Sequence, residues 1–171
     1  MFNEPEASVP KWPRYSTLPF PPYRFVPGLN PHPRNHPAGH SYGKVEERPG
    51  TWEASGWRVL TPYLYGIDLY NYSYWWECHE TLEGLWISAG RHTPHARFVQ
   101  GVIQIAAANL HWHKGNRLPA RSLAQKGSDR LESAAGAAGT YMGIRTGTFT
   151  AAVRAYFDGR RATPVLITLD Y

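Results

Sequence analysis

Very little in this chain suits covalent stapling or burial in a lipid bilayer. It contains one cysteine, Cys78, in 171 residues, so neither an internal disulfide nor a cysteine-built zinc site can form within one chain. The longest apolar run, Gly101 to Leu110, falls far short of the roughly 20 residues a membrane span requires. The opening Met-Phe-Asn-Glu-Pro-Glu never develops the apolar segment of a secretory signal, and a cytoplasmic location is expected. Charged residues make up only 18% against 42% apolar, a balance that excludes disorder throughout and fits one folded core. Lys and Arg outnumber Asp and Glu by 18 to 13, yet no stripe concentrates them. Arg117, Arg121, Arg130, Arg145, Arg154, Arg160 and Arg161 are scattered and read as solvated faces, so nucleic acid is not an expected partner.

What is abundant is proline, and it is concentrated. Eleven of the fifteen prolines fall in the first fifty residues, a density that forbids helix interiors and central strands. Trp12, Tyr15, Phe20, Tyr23, Phe25, Val26 and Leu29 interleave with them, which is more apolar area than a tether would carry. Residues 1–60 are therefore expected to form an extended, polyproline-like arm that docks on the folded part. His32, His36 and His40 repeat at helical spacing, but Pro33 and Pro37 forbid the helix that would align them for a metal, so they read as solvated or docking histidines.

From Thr61 the apolar residues recur every three or four positions, and the expected class is all-α: a compact antiparallel bundle of about five helices over 61–159, with a short extended tail at 160–171. Thr61-Pro62 should open the first helix, which runs to about Tyr72. Ser73 should cap a second that ends at Ala89-Gly90. Thr93-Pro94 opens a third, closing at Lys114-Gly115-Asn116, apolar on most sides and so central, with Val99, Ile103, Ala106 and Leu110 in the core. Pro119 to Ala134 outlines a fourth. The fifth holds Phe149, Val153, Tyr156 and Phe157, with Thr148 as its cap and Gly159 as its stop. In the tail, Val165, Ile167 and Leu169 alternate as in a strand or strap.

Between Pro62 and Gly90 there are four acids, Asp68, Glu77, Glu80 and Glu83, and no Lys or Arg. At about 100° per residue, His79 and Glu83 share a face with Trp75, Trp76, Leu82 and Trp86, with Glu80 on its flank and Glu77 directed further away. An imidazole and a carboxylate four apart can hydrogen-bond each other or hold one divalent metal. Gln100 and Gln104 lie in a polar stripe on the third helix, and Asp68 and Asn71 are one turn apart on the first. Cys78, adjacent to His79, points elsewhere and reads as a small core residue.

The run Gly66-Ile67-Asp68-Leu69-Tyr70-Asn71, then His79-Glu80-Thr81-Leu82-Glu83-Gly84-Leu85-Trp86, then Gln100-Gly101-Val102-Ile103-Gln104 resembles the domain-of-unknown-function 309 family over roughly Tyr63 to Ala124. The resemblance implies a small all-helical bundle in which His79, Glu80, Glu83, Trp86, Gln100 and Gln104 occupy the motif positions. It implies no reaction.

Two function classes follow. One is an uncharacterised helical module whose polar cluster of Asp68, Asn71, His79, Glu80, Glu83, Trp86, Gln100 and Gln104 is structural, the glutamines donating to carboxylates behind tryptophan walls, or binds a small polar ligand. The other is a metal-dependent hydrolase with His79 and Glu83 as ligands and Glu80 as the candidate general base. A divalent metal is the cofactor that the second would need. Its third ligand would come from Glu80, Asp68, His111 or Cys78, and no spacing selects among them.

Overall fold

The computed structural model describes residues 12–45, 49–90 and 92–171. Residues 1–11 and 46–48 of the proline-rich arm lie outside the described residues. The fold is all-α. After a 3-10 turn at Ala54–Val59 come helices α1 (Thr61–Asn71), α2 (Trp75–Ser88), α3 (Pro94–His113), α4 (Arg117–Ala135) and α5 (Thr146–Phe157). A two-residue hairpin, β1 (Thr140–Tyr141) and β2 (Ile144–Arg145), precedes α5. Consecutive helices pack on one another, and α3 is central because it meets both α2 and α4.

The helix ends show where local signals were read correctly and where they were not. Thr93 caps α3, its Oγ1 accepting the Ala96 amide at 3.2 Å, and Pro94 follows at the first helical position. Thr61 does not cap α1. The 3-10 turn runs straight into the helix, and the Leu60 carbonyl accepts the Tyr63 and Leu64 amides at 2.9 and 3.1 Å. Nor does Ser73 cap α2. It closes α1, with φ +65°, its amide donating to Tyr70 O at 3.2 Å while the Tyr74 amide reaches Leu69 O at 2.8 Å. That is the Schellman pairing, which Gly115 after α3 and Gly159 after α5 make with glycine at the same position. Similarly, α5 begins at Thr146 rather than after Thr148, and α4 begins at Arg117, two residues before Pro119. The hairpin that sequence periodicity missed turns on Met142 and Gly143, both at positive φ.

Two glycines set the α3–α4 distance. A Cβ on Gly127 would sit 2.7 Å from the Gly101 carbonyl oxygen, and one on Gly101 would sit 2.9 Å from that of Gly127, so the backbones touch. Phe98, Val99, Val102, Ile105 and Ala106 of α3 are buried, whereas Ile103 and Leu110, expected in the core, are only partly so. They flank the buried stripe instead of lying in it.

The tail is an extended strap rather than a strand. Val165, Ile167 and Leu169 are buried, as their alternation implies. The backbone is held by side chains in place of a neighbouring strand: Asn71 donates to Ile167 O at 2.9 Å and accepts from Ile167 N at 2.7 Å, and the Tyr15 hydroxyl accepts from Leu169 N at 3.0 Å.

Candidate functional site

α1 and α2 carry no Lys or Arg, and the arm supplies donors to three of their four acids. Asp68, fully buried, accepts the Tyr15 and Ser16 amides at 2.7 and 2.9 Å, with Arg14 Nε at 3.4 Å. Glu77, also buried, accepts the Phe25 amide at 2.9 Å and His40 Nε2 at 3.1 Å. Glu80 takes Arg34 Nε at 2.7 Å. Aromatic contacts fill the space between these bonds. Phe20 lies 4.8 and 4.9 Å from the rings of Tyr72 and Tyr74, and His32 meets Trp76 edge-on at 5.4 Å.

The arm histidines serve the backbone or a carboxylate. His32 Nδ1 accepts the Arg34 and Asn35 amides, and His36 Nδ1 the Ala38 amide. Burial first, and then the charge of Lys44, push the His40 imidazole below its ordinary value. The ring is therefore neutral near pH 7. Because Glu77 can only accept, Nε2 carries the proton and Nδ1 accepts from the Ser41 hydroxyl at 2.9 Å.

Between arm and helices lies a cleft of about 460 Å³. One wall is the run Pro19, Phe20, Pro21, Pro22. A second comes from Tyr65 and Leu69 of α1 with Trp76, Glu77, Glu80, Thr81 and Gly84 of α2. The third is the turn-rich segment carrying Arg34, His40, Ser41 and Lys44. Apolar rings thus surround a few charged groups that face one another, the composition of a small-molecule site.

The residues singled out from sequence fall into separate places. His79 and Glu83 share a half-exposed face of α2, 4.0 Å apart. Ligand atoms of His79, Glu80 and Glu83 all lie within 4.8 Å of one another, a group that among the described residues takes in neither Asp68, Cys78 nor His111. One imidazole and two carboxylates form a donor set suited to a borderline divalent cation with open positions. Gln100 and Gln104 are elsewhere. They accept from Arg130 Nε and Nη1 at 2.8 and 3.1 Å across the α3–α4 seam, rather than donating to carboxylates. Asp68 holds the arm and Asn71 holds the strap. Trp86 is partly buried against the core, and Cys78 is fully buried, with its thiol pushed up chiefly by that burial.

Sequence reasoning missed Glu77, set aside as pointing away, together with the cleft-lining Arg34, His40 and Lys44. The signal was present in the run from Pro62 to Gly90 without a cation, since buried carboxylates must find donors somewhere.

By fold and site this is an all-helical module with an aromatic-walled, mixed-charge cleft and a His/Glu/Glu group beside it. The family model described as Domain of unknown function (DUF309) matches residues 63–123. That span covers α1, α2, α3 and the start of α4, and leaves the arm wall of the cleft outside it. No curated protein and no solved structure matches the chain. No helix among the described residues is long and apolar enough to cross a membrane.

Proposed function

We propose that this chain is a non-catalytic helical module that binds a small polar ligand in the cleft between the proline-rich arm and helices α1 and α2. The observation that carries the reading is convergence. The charged groups of Arg34, Lys44 and Glu80, with the hydroxyls of Ser41 and Thr81, border one space walled by Phe20, Tyr65 and Trp76. Its volume lies within the roughly 300–1,000 Å³ of small-molecule sites. Glu77 and His40 also line the cleft, and the hydrogen bond between them ties the turn segment to α2.

The test is a set of small anionic, cationic, zwitterionic and neutral fragments titrated into labelled protein while backbone amide resonances are followed. Saturable shifts at Ser41, Thr81 and Gly84, with a rise in melting temperature, are expected for at least one charge class. Silence from every class rules the cleft out as a binding site.

A second reading, a metal-dependent hydrolase, is favoured by one observation, the gathering of His79, Glu80 and Glu83 at the cleft's edge. A divalent cation there would act as a Lewis acid. Glu80 is the weak point for the base role, because its Oε2 is already held by Arg34 at 2.7 Å. Elemental analysis of protein purified without an affinity tag is the check. Near-stoichiometric metal that His79→Ala abolishes supports the hydrolase, and metal-free protein that also takes up no added zinc removes it.

A further inference from the structure

The cleft's charges are arranged in opposition, and that arrangement selects a ligand. Arg34 and Lys44 project from the arm side; Glu77 and Glu80 project from α2. Among the described residues of the lining two cations stand against two carboxylates, so neither a plain anion nor a plain cation is complementary to all of them. Glu77 is committed to the Phe25 amide and His40 and is only 5% exposed. The groups that a ligand can reach are therefore Glu80 on one side and Arg34 and Lys44 on the other. Arg34 and Glu80 already touch, with side chains 35% and 21% exposed. A ligand bearing both charges can join that pair without leaving either partner unmatched. Lys44 has no carboxylate partner within ion-pair distance among the described residues, and so offers a second donor to an incoming carboxylate. The proline and aromatic walls favour a flat apolar body over a further polar group.

Resting on the ligand-binding reading above, we infer that the ligand is a zwitterion with an apolar ring, namely a free aromatic α-amino acid. Its ammonium lies against Glu80 and its carboxylate against Lys44 and Arg34. The ring packs among the prolines, Phe20 and Trp76. Each charge of such a ligand meets the opposite one on the cleft wall.

The experiment compares L-phenylalanine with 3-phenylpropionate, which lacks the ammonium, with phenethylamine, which lacks the carboxylate, and with N-acetyl-phenylalanine amide, which lacks both charges. Each is titrated into the full chain while the Thr81 and Gly84 amide resonances and tryptophan fluorescence are read. Phenylalanine should bind up to about fivefold more tightly than phenylpropionate or phenethylamine, the scale of one lost charge contact, and more tightly still than the doubly uncharged amide. Glu80→Gln should erase its advantage over phenylpropionate, and Lys44→Gln should reduce its advantage over phenethylamine. Lys44 is exposed and the Glu80 side chain is 21% exposed, and the amide spectrum reports whether each variant is folded. Equal or tighter binding of phenylpropionate or phenethylamine overturns the zwitterion while leaving a ligand site in place. Binding of the doubly uncharged amide as tightly as phenylalanine overturns it as well. No response to any of the four overturns the zwitterion too, and the wider fragment titration then decides whether the cleft binds anything.

Discussion

Replacing Asp68 by asparagine tests whether the arm is held by buried carboxylates or merely lies on apolar surface. Asp68 is fully buried, and its two oxygens each accept one backbone amide, Tyr15 at 2.7 Å and Ser16 at 2.9 Å. Asparagine is nearly the same size but keeps one acceptor oxygen. Its other terminal atom becomes an NH2 group facing an amide N–H, donor against donor. A hydrogen bond to a charged acceptor contributes about 1.5–3 kcal/mol, so one such bond is lost outright and the other falls to the neutral value of about 1 kcal/mol. Relief of the buried charge offsets part of this. The net expectation for Asp68→Asn is a loss of about 2–4 kcal/mol.

The companion variant Arg14→Ala should cost under about 1 kcal/mol, because the guanidinium is 29% exposed and 3.4 Å from the carboxylate. Urea unfolding gives the energies, and amide hydrogen exchange at Tyr15 and Ser16 gives the location. In Asp68→Asn those two amides should lose protection before the amides of α3 do. A loss below about 0.5 kcal/mol with both amides still protected would refute the reasoning and leave aromatic packing as the whole of the docking.

Asn71→Ala should release the strap, since it strands the amide and carbonyl of Ile167; a cost of about 2 kcal/mol and early proteolysis beyond Thr163 are expected. Gly127→Ala pushes a methyl against the Gly101 carbonyl at 2.7 Å, where backbone must move, and should lower stability by about 1–3 kcal/mol by calorimetry. Arg34→Ala should remove one partner of Glu80 and raise the affinity of the His79/Glu80/Glu83 group for added zinc, measured by calorimetric titration; unchanged affinity would show that the Arg34 pair does not compete with the metal. The Arg154 hydrogen bond holds the Glu132 carboxyl below its ordinary value of 4.5, so the contribution is present above that pH and is lost as pH falls through the folded value. The melting-temperature gap between wild type and Arg154→Gln should accordingly shrink from pH 7 to pH 3, and a gap that widens in acid would contradict the pairing.

The helices were legible because their signals are local. Thr93-Pro94, Gly115 and Gly159 each act within one turn of chain, and each marks the boundary it announced. Ser73 misled for the same reason. Serine is a common helix cap, but here it takes the left-handed position that ends the preceding helix, and it is buried there. Only the packing of Tyr74 and Trp75 into the core decides between those roles. The candidate site was half legible. Residues four apart on one helix must be neighbours, so His79 and Glu83 were paired correctly. Gln100 and Gln104 were assigned to the same cluster through a shared motif, which carries no distance, and their partner turned out to be Arg130 on α4.

By itself the sequence determined the all-α class, the exclusion of long helices and strands from the proline-rich arm, and a surplus of carboxylates over cations on the first two helices. Periodicity, proline's fixed φ and charge balance are properties of short stretches, and they hold wherever the chain goes. Which donors answer which carboxylates was decided only by the tertiary structure. Arg14, Arg34 and His40 meet Asp68, Glu80 and Glu77 across 37 to 54 residues of chain. Those pairings exist because the arm's aromatics seat it along α1 and α2 in one register, and the cleft is the space that this seating encloses.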